Sequence, residues 1–184
     1  MTSHGARILL LFIFALALLG LTACGGGGGF AATSITFTPD GPGGAGDIWL
    51  ELESANPPGN SFKLKVIGDE LKGVYGVAGR LKFDRAICSL KGAKAGDALK
   101  GNSAEIIAAG GSNDEGGVFG FSRSKDYQHG VNLSANKVIG VLEFKVESAG
   151  TTTISFNTKR SNALNQILDD VEVAHWLGGT LKVE

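Results

Sequence analysis

The sequence contains few of the residues that build several common kinds of site. Its 184 residues include two cysteines, one methionine, three histidines and four prolines. Two cysteines, Cys24 and Cys88, cannot supply a disulfide framework or a cysteine-rich metal site, and no histidines stand at the spacing of a zinc enzyme. Seventeen basic residues against eighteen acidic ones give a formal net charge of −1. A basic surface for nucleic acid is therefore not expected.

The sequence also lacks a convincing amphipathic helix, and its one long apolar run lies near the N-terminus. Glycine is frequent, with 29 residues. Many short segments alternate between apolar and polar residues, and Gly, Asn, Asp and Ser separate them. This pattern predicts an all-β fold, a jelly-roll β-sandwich of about nine strands in one domain.

The clearest of these segments runs from Tyr75 to Phe83. Period-two alternation places Tyr75, Val77, Gly79, Leu81 and Phe83 on the buried side of a strand. Gly79 has no side chain to fill its place on that side. We therefore expect either a bulge or a repacked core there.

The N-terminus reads as a targeting segment. The apolar run from Ile8 to Leu19 is too short for the ~20 residues of a membrane-spanning helix, and its length suits a signal-peptide core. The following Leu21–Cys24 (LTAC) resembles a bacterial lipobox, which implies cleavage before Cys24 and lipidation of its sulfur. The resulting segments are a signal peptide (1–23), a lipidated cysteine with a glycine-rich tether (24–30) and a folded domain (31–184).

The tether and its first residue, Gly25, indicate where in the cell envelope the protein is located. Five glycines, 25–29, cannot hold one conformation and give an anchored domain slack. In lipoproteins of two-membrane bacteria, Asp directly after the lipidated cysteine tends to keep the protein at the inner membrane, and this chain has Gly25 instead. The resemblance therefore implies the outer membrane or the cell surface, with the lipid as the only membrane attachment.

Several segments resemble, in order, those of cohesin domains. They are VYGVAGRLKFD within Val74–Asp84, AGDAL at Ala95–Leu99, Gly120–Arg123, Gly140–Phe156 and Gly178–Val183. The family often has a large apolar residue where Gly79 stands. The resemblance implies a non-enzymatic module in which one flat sheet face binds a protein partner, the dockerin, a small calcium-binding helical module.

By the same resemblance, the partner face includes the strand around Val77 and the strand Val138–Val146. Alternation then selects the outward side chains of these two strands. The predicted partner-binding residues are Ala78, Arg80, Lys82, Val141, Glu143 and Lys145. Such a mixture of charges suits electrostatic complementarity, which gives specificity and fast association.

A carbohydrate-binding module is the alternative, because polysaccharide-binding domains share this fold. Trp49 and Trp176 alternate with the inward residues of their segments, and Tyr127 lies in a polar loop. If exposed, these three rings could stack on sugars, or each tryptophan could pack under a loop. A third possibility is a structural subunit of a cell-envelope assembly.

Enzymatic and metal sites find little support. Gly120–Ser124 has serine where a nucleophile elbow requires its last glycine. Asn113–Gly116 offers oxygens for Ca²⁺ but lacks the spacing of a calcium loop. No cofactor is predicted, and we expect Cys88 to be a buried core residue and His129 and His175 to be structural.

Overall fold

The computed structural model describes residues 30–101, 105–124 and 129–184. The predicted signal peptide, the lipidated Cys24, the glycines of the tether and Tyr127 lie outside the described residues. The lipid anchor therefore stays a prediction. Within the three described ranges, no apolar helix reaches the length needed to cross a membrane.

The described residues form fifteen strands and one short 3-10 helix, Thr158–Arg160. In chain order the strands are β1 (Ile35–Pro39), β2 (Ile48–Asn56), β3 (Ser61–Gly68), β4 (Leu71–Val74), β5 (Gly76–Lys82), β6 (Cys88–Ala95), β7 (Ile106–Asn113), β8 (Gly116–Arg123), β9 (Val131–Leu133), β10 (Lys137–Val146), β11 (Gly150–Phe156), β12 (Asn162–Leu164), β13 (Asp170–Val171), β14 (Trp176–Leu177) and β15 (Gly179–Val183). The 3-10 helix lies between β11 and β12.

Two large sheets pack around one core. The eight-stranded sheet has the order β1-β15-β11-β5-β12-β13, and β8 pairs with both β5 and β7. The five-stranded sheet has the order β14-β2-β3-β10-β6, and β4 pairs with β9 separately. Neighbours that are distant in sequence are typical of a jelly roll. The predicted all-β sandwich is confirmed, although the described chain divides into more and shorter strands than the nine expected.

The strand β5 follows the alternation that the sequence predicts. Val77 and Leu81 are buried, Arg80 is half-buried and Lys82 is exposed. Phe83, directly after the strand, is buried. The strand pairs with β8 on one side and with β11 and β12 on the other, so it lies in the middle of the larger sheet.

The aromatic ring of Phe119 fills the gap left by Gly79. Gly79 stands directly opposite Phe119 in the register of β5 and β8. A Cβ added at Gly79 would lie 2.5 Å from this ring, closer than any real contact allows. The core is therefore repacked at this position, with one large ring from β8 above a glycine of β5.

Aromatic rings also join the two large sheets. Phe62 of β3 stacks on Phe144 of β10 with ring centroids 4.8 Å apart, and Phe83 meets Phe144 edge-on at 5.5 Å. Phe62 and Phe144 belong to the smaller sheet, whereas Phe83 follows β5 of the larger one. These contacts fix which side of each sheet is inward, and hence which residues form the two outer faces.

Candidate partner-binding faces

The residues predicted on β5 lie on the outer side of the larger sheet. Ala78 and Arg80 are half-buried, and Lys82 is exposed. In the register with β8, Ala78 stands opposite Gly120 and Arg80 opposite Val118. Because the neighbouring residues are small, the side chains of Arg80 and Lys82 protrude from the surface around them.

Small, uncharged residues cover most of the rest of this outer side. From β7 to β1 across the sheet they are Ala109, Gly111, Val118, Gly120, Ala78, Thr151, Thr153, Ser155, Thr180, Thr36 and Thr38. We call this surface, together with Arg80 and Lys82, the smooth face. Lys182, a further charged residue on it, pairs with Glu184 at 2.5 Å.

Two glycines contribute to the flatness of the smooth face. A Cβ added at Gly111 or Gly120 would meet nothing within 4 Å. Unlike Gly79, these positions therefore have open space above them, and the fold has room for a side chain at either. Their lack of a side chain leaves a flat surface that a partner can approach closely.

A group of four cations lies on and beside the smooth face. The short helix brings Lys159 and Arg160, both exposed, next to β5, because the amide of Asn157 donates to the carbonyl of Arg80 at 2.8 Å. The Arg80 amide in turn donates to Ser161 Oγ at 3.2 Å. Among the described residues, Arg80, Lys82, Lys159 and Arg160 form no ion pair. We call them the cation cluster.

Exposed apolar side chains occur at the other end of this face. In the described part of the chain, the large apolar residues that are strongly exposed are Ile107 (61%), Ile167 (69%) and Leu168 (71%). Strand register places one row across the sheet through Ile107, Ser122, Gly76 and Leu164. Ile167 and Leu168 follow in the turn from β12 to β13, so all three lie at the β5 end marked by Gly76.

The outer side of the five-stranded sheet is different, since paired charges cover it. Eight charged residues on β2, β3, β6 and β10, with Glu147 just after β10, pair with one another here: Glu51, Lys63, Lys65, Lys91, Lys94, Glu143, Lys145 and Glu147. Two further charged residues of these strands, Glu53 and Lys137, form no ion pair among the described residues. We call this surface the charged face. Every one of the eight paired side chains has an oppositely charged partner within 3.9 Å.

Two glutamates are the centres of this pairing. Glu143 is 2.6 Å from Lys94 and 3.9 Å from Lys63. Glu147 accepts hydrogen bonds from Lys145 at 2.7 Å and from Ser89 at 2.6 Å. The bond from Lys145, followed by that from Ser89, lowers the pKa of Glu147 to about 2. The hydrogen bond to Glu143 likewise raises the pKa of Lys94.

The prediction of one partner face that contains all six residues is wrong. Ala78, Arg80 and Lys82 belong to β5 of the larger sheet, whereas Val141, Glu143 and Lys145 belong to β10 of the smaller sheet. The two sheets pack face to face, so their outer sides point in opposite directions. Alternation identifies which residues point away from the core, but it carries no information about which sheet a strand joins.

Neither described tryptophan is displayed for sugar stacking. A sugar-stacking role for Trp49 is ruled out by its burial, with 4% of the residue exposed. Its ring lies against Gly43 so closely that a Cβ there would overlap the indole. Trp176 is half-buried and packs on Phe156 with ring centroids 5.1 Å apart. Both rings thus take the alternative that the sequence left open, which is packing within the domain.

A cleft with a volume of about 870 Å³ lies at one end of the charged face. Its polar lining includes Glu53, Lys65, Asp97, Asn132 and Asn136. Among the described residues that line it there is no aromatic side chain. The cleft therefore offers hydrogen bonds but no ring on which a sugar could stack.

The remaining candidate residues have structural surroundings. Cys88 is fully buried, and burial raises the pKa of its thiol to about 12, which makes it unreactive. His175 Nδ1 lies 2.9 Å from Asp47 Oδ1 and ties the last loop to the start of β2. Asn113 Oδ1 accepts the Glu115 amide in the β7–β8 turn. The described residues contain no group of three His, Cys, Asp or Glu side chains that could hold a metal ion.

The sequence of segment 158–170 is compatible with either a helical turn or irregular structure, and the structure has a short 3-10 helix there. Sequence reasoning missed the turn from β12 to β13. The segment 158–170 has no periodicity, because it consists of a 3-10 turn and two very short strands. The available signal was Ile167-Leu168 between Asn165 and Asp169, two large apolar residues where a turn is usually polar.

Comparison with solved structures identifies the fold. The second type II cohesin module from the adaptor ScaA scaffoldin of Acetivibrio cellulolyticus matches with a TM-score of 0.54 and 16% identity, over 73% of this chain and 88% of that one. The sixth cohesin of scaffoldin B from the same organism, solved in complex with a dockerin, matches with a TM-score of 0.53 and 17% identity, over 75% and 98%. CaCohA2 from Clostridium acetobutylicum gives 0.50 and 15%, over 72% and 87%.

The other two comparisons find nothing. No protein-family model matches the chain, and no curated protein matches it. At these identities the structural matches show the fold, which is that of a cohesin module.

Proposed function

We propose that this chain is a lipid-anchored, extracytoplasmic binding module that captures a dockerin-like protein partner on its smooth face. The observation that carries the proposal is the contrast between two surfaces. One is flat, with open glycines and with cations that have no ion-pair partner among the described residues, whereas most charges of the other pair with each other. The cohesin neighbour solved with a dockerin supports the class of partner.

Desolvation favours the smooth face over the charged face. Covering the charged face would remove water from eight ionised side chains that already have partners, and a new protein surface would have to compensate for that loss. The smooth face has mostly hydroxyl groups, methyl groups and backbone to cover. The centres of protein interfaces are likewise depleted in charged residues.

The dimensions of the smooth face suit a folded module. Its six strands from β7 to β1 at about 4.8 Å spacing span roughly 24 Å, and β5 alone contributes seven residues. A single added strand would contact one edge only and leave the open glycines uncovered. A partner that covers the face from Gly111 on β7 to Thr36 on β1 must present a surface rather than an extended peptide.

A new side chain in the middle of the smooth face tests the proposal. Gly120→Tyr adds a ring where there is open space, so the fold should survive while a partner is held away. Gly92→Tyr is the matched control on the charged face, where a Cβ would make only an ordinary contact with Glu143 at 3.8 Å. Binding to a panel of purified dockerin modules is measured for the wild type and both variants.

We expect Gly120→Tyr to abolish binding and Gly92→Tyr to leave it unchanged. The reverse pattern would assign docking to the charged face. No binding by any module to the wild type would overturn the dockerin-like partner.

The anchor is tested separately at Cys24. Labelling cells with a palmitate analogue should mark the wild-type chain, and Cys24→Ala should remove the label and leave an uncleaved precursor. Equal labelling of both chains would contradict lipidation at this residue. Fractionation of the envelope then separates the outer membrane or cell surface from the inner membrane.

A further inference from the structure

The turn between β12 and β13 is held in one shape by its first residue. Asn165 Oδ1 accepts hydrogen bonds from the amides of Ile167 and Asp169, both at 3.0 Å. The Asn165 amide donates to the Asp169 carbonyl at 2.9 Å, and the Leu168 amide donates to the Asn165 carbonyl at 3.1 Å. Four hydrogen bonds within five residues define a pre-organised loop, which loses little entropy when it is bound.

This loop displays two large apolar side chains. Ile167 and Leu168 are 69% and 71% exposed, although loop tips in soluble proteins are usually polar. Leu168 also has φ of 66°, a left-handed conformation that is uncommon for a bulky residue and tends to occur at functional sites. Neither side chain contributes to the core, so the domain itself gains nothing from keeping them apolar.

Positive and negative side chains lie at different distances from the loop. Arg80 lies four residues from Gly76, which is about 13 Å along the strand, so the cation cluster begins at that distance from the apolar end. Next to the loop are the carboxylates Asp169, Asp170 and Glu172. In the described chain these three carboxylates form no ion pair either.

We infer that the turn Asn165–Asp169 is an insertion loop that seats Ile167 and Leu168 in an apolar socket of the protein partner. The partner carries carboxylates that meet the cation cluster, which begins about 13 Å along β5 from Gly76. This inference rests on the proposed function and names the chemistry of the partner surface. Ile107 lies in the same row of the sheet as Leu164, three strand spacings or about 14 Å away, and supplies a separate apolar contact.

A protein occupant fits the charges better than a lipid surface does. A loop that inserts into an anionic membrane is normally flanked by Lys and Arg, but here the flanking residues are the carboxylates Asp169, Asp170 and Glu172. Ile107 lies on β7, whereas Leu168 lies in the turn after β12, so the two side chains are separated across the sheet. A rigid partner can contact both of them together with the cation cluster.

The test uses the full chain with Cys24→Ala in every variant, so that no lipid anchor contributes and the uncleaved N-terminal segment is the same in all of them. Ile167→Asn/Leu168→Asn removes both apolar side chains, while Asn still tolerates the left-handed backbone at 168. Lys159→Glu/Arg160→Glu reverses half of the cation cluster. Lys137→Glu is the charge control, because Lys137 is an exposed lysine on β10 of the other sheet. Thermal melts should show that all variants fold.

Affinity for the dockerin modules that bind the wild type is measured at low and high salt, together with binding to vesicles of phosphatidylglycerol and phosphatidylethanolamine. We expect the apolar double variant to lose about tenfold or more in affinity at both salt concentrations. The charge-reversed variant should lose association rate mainly at low salt, and Lys137→Glu should match the wild type.

The outcomes separate this inference from the proposed function. If Gly120→Tyr abolishes binding but the apolar double variant binds like the wild type, the insertion loop is wrong and the smooth face stands. If the wild type binds vesicles and the apolar double variant does not, the occupant is a membrane and the protein socket is wrong. If no module binds the wild type, the proposed function and this inference fall together.

Discussion

The smooth face and the charged face are built from strands with the same alternation, yet their outward residues differ in kind. On β10, Glu143 stands between Lys63 and Lys94 and pairs with both. On β5, Arg80 stands beside Val118 in a neighbourhood of glycine, alanine and threonine. The comparison shows two kinds of outward polar residue, one that pairs with charged neighbours and one that has no described ion-pair partner.

The largest expected effect tests whether the two faces enclose the core described above. Phe144→Ala removes the ring that stacks on Phe62 and meets Phe83, and it should destabilise the domain by ~3–5 kcal/mol. Denaturant titration measures the change. A loss below ~1 kcal/mol would place Phe144 outside the core, and the assignment of inner and outer sides would then be wrong.

The next effect distinguishes inward from outward glycine within one sheet. Gly79→Ala puts a methyl group into the Phe119 ring and should cost about 1–3 kcal/mol through overpacking. Gly120→Ala, on the smooth face, should leave the free energy of unfolding within ~0.5 kcal/mol of the wild type. Phe119→Leu should relieve part of the Gly79→Ala cost, because the smaller side chain vacates the space. Equal costs at both glycines would mean that the smooth face is covered from within the domain.

The limits of the sequence as a guide appear at these same positions. The alternation from Val77 to Phe83 correctly predicts which residues of β5 are inward, because burial of one side imposes a period of two. It could not show that β5 and β10 join different sheets, since strand pairing depends on contacts between residues far apart in the chain. Burial by a loop is a second limit, because alternation does not reveal it. Trp49 lies on the side of β2 that points away from the core, but the loop at Gly43 covers its ring.

A smaller effect should distinguish the two faces by how much their charged side chains contribute to the free energy of unfolding. Glu143→Gln removes the partner of both Lys63 and Lys94 and should cost up to ~1 kcal/mol, the range of partly exposed ion pairs. Arg80→Gln should change the free energy of unfolding by less than ~0.5 kcal/mol, because no described carboxylate pairs with Arg80. Repeating both melts in high salt should shrink the first difference and leave the second unaltered. A larger cost for Arg80→Gln would contradict the description of the cation cluster as unpaired.

The smallest effect is a pH dependence confined to the charged face. The hydrogen bond from Lys145, with that from Ser89, lowers the pKa of Glu147 from its ordinary value of 4.5 to about 2. The ionised carboxylate therefore stabilises the folded state at neutral pH, and this contribution declines as the pH falls from about 4.5 towards 2. Glu147→Gln should accordingly be less stable than the wild type at pH 7, with the difference fading across that window. Arg80→Gln is the control, because Arg80 lies on the other face and no described carboxylate pairs with it, and its small difference should not change with pH. A Glu147→Gln difference that is constant from pH 7 to pH 2 would mean that the hydrogen-bond geometry, rather than the charge, holds this corner of the charged face.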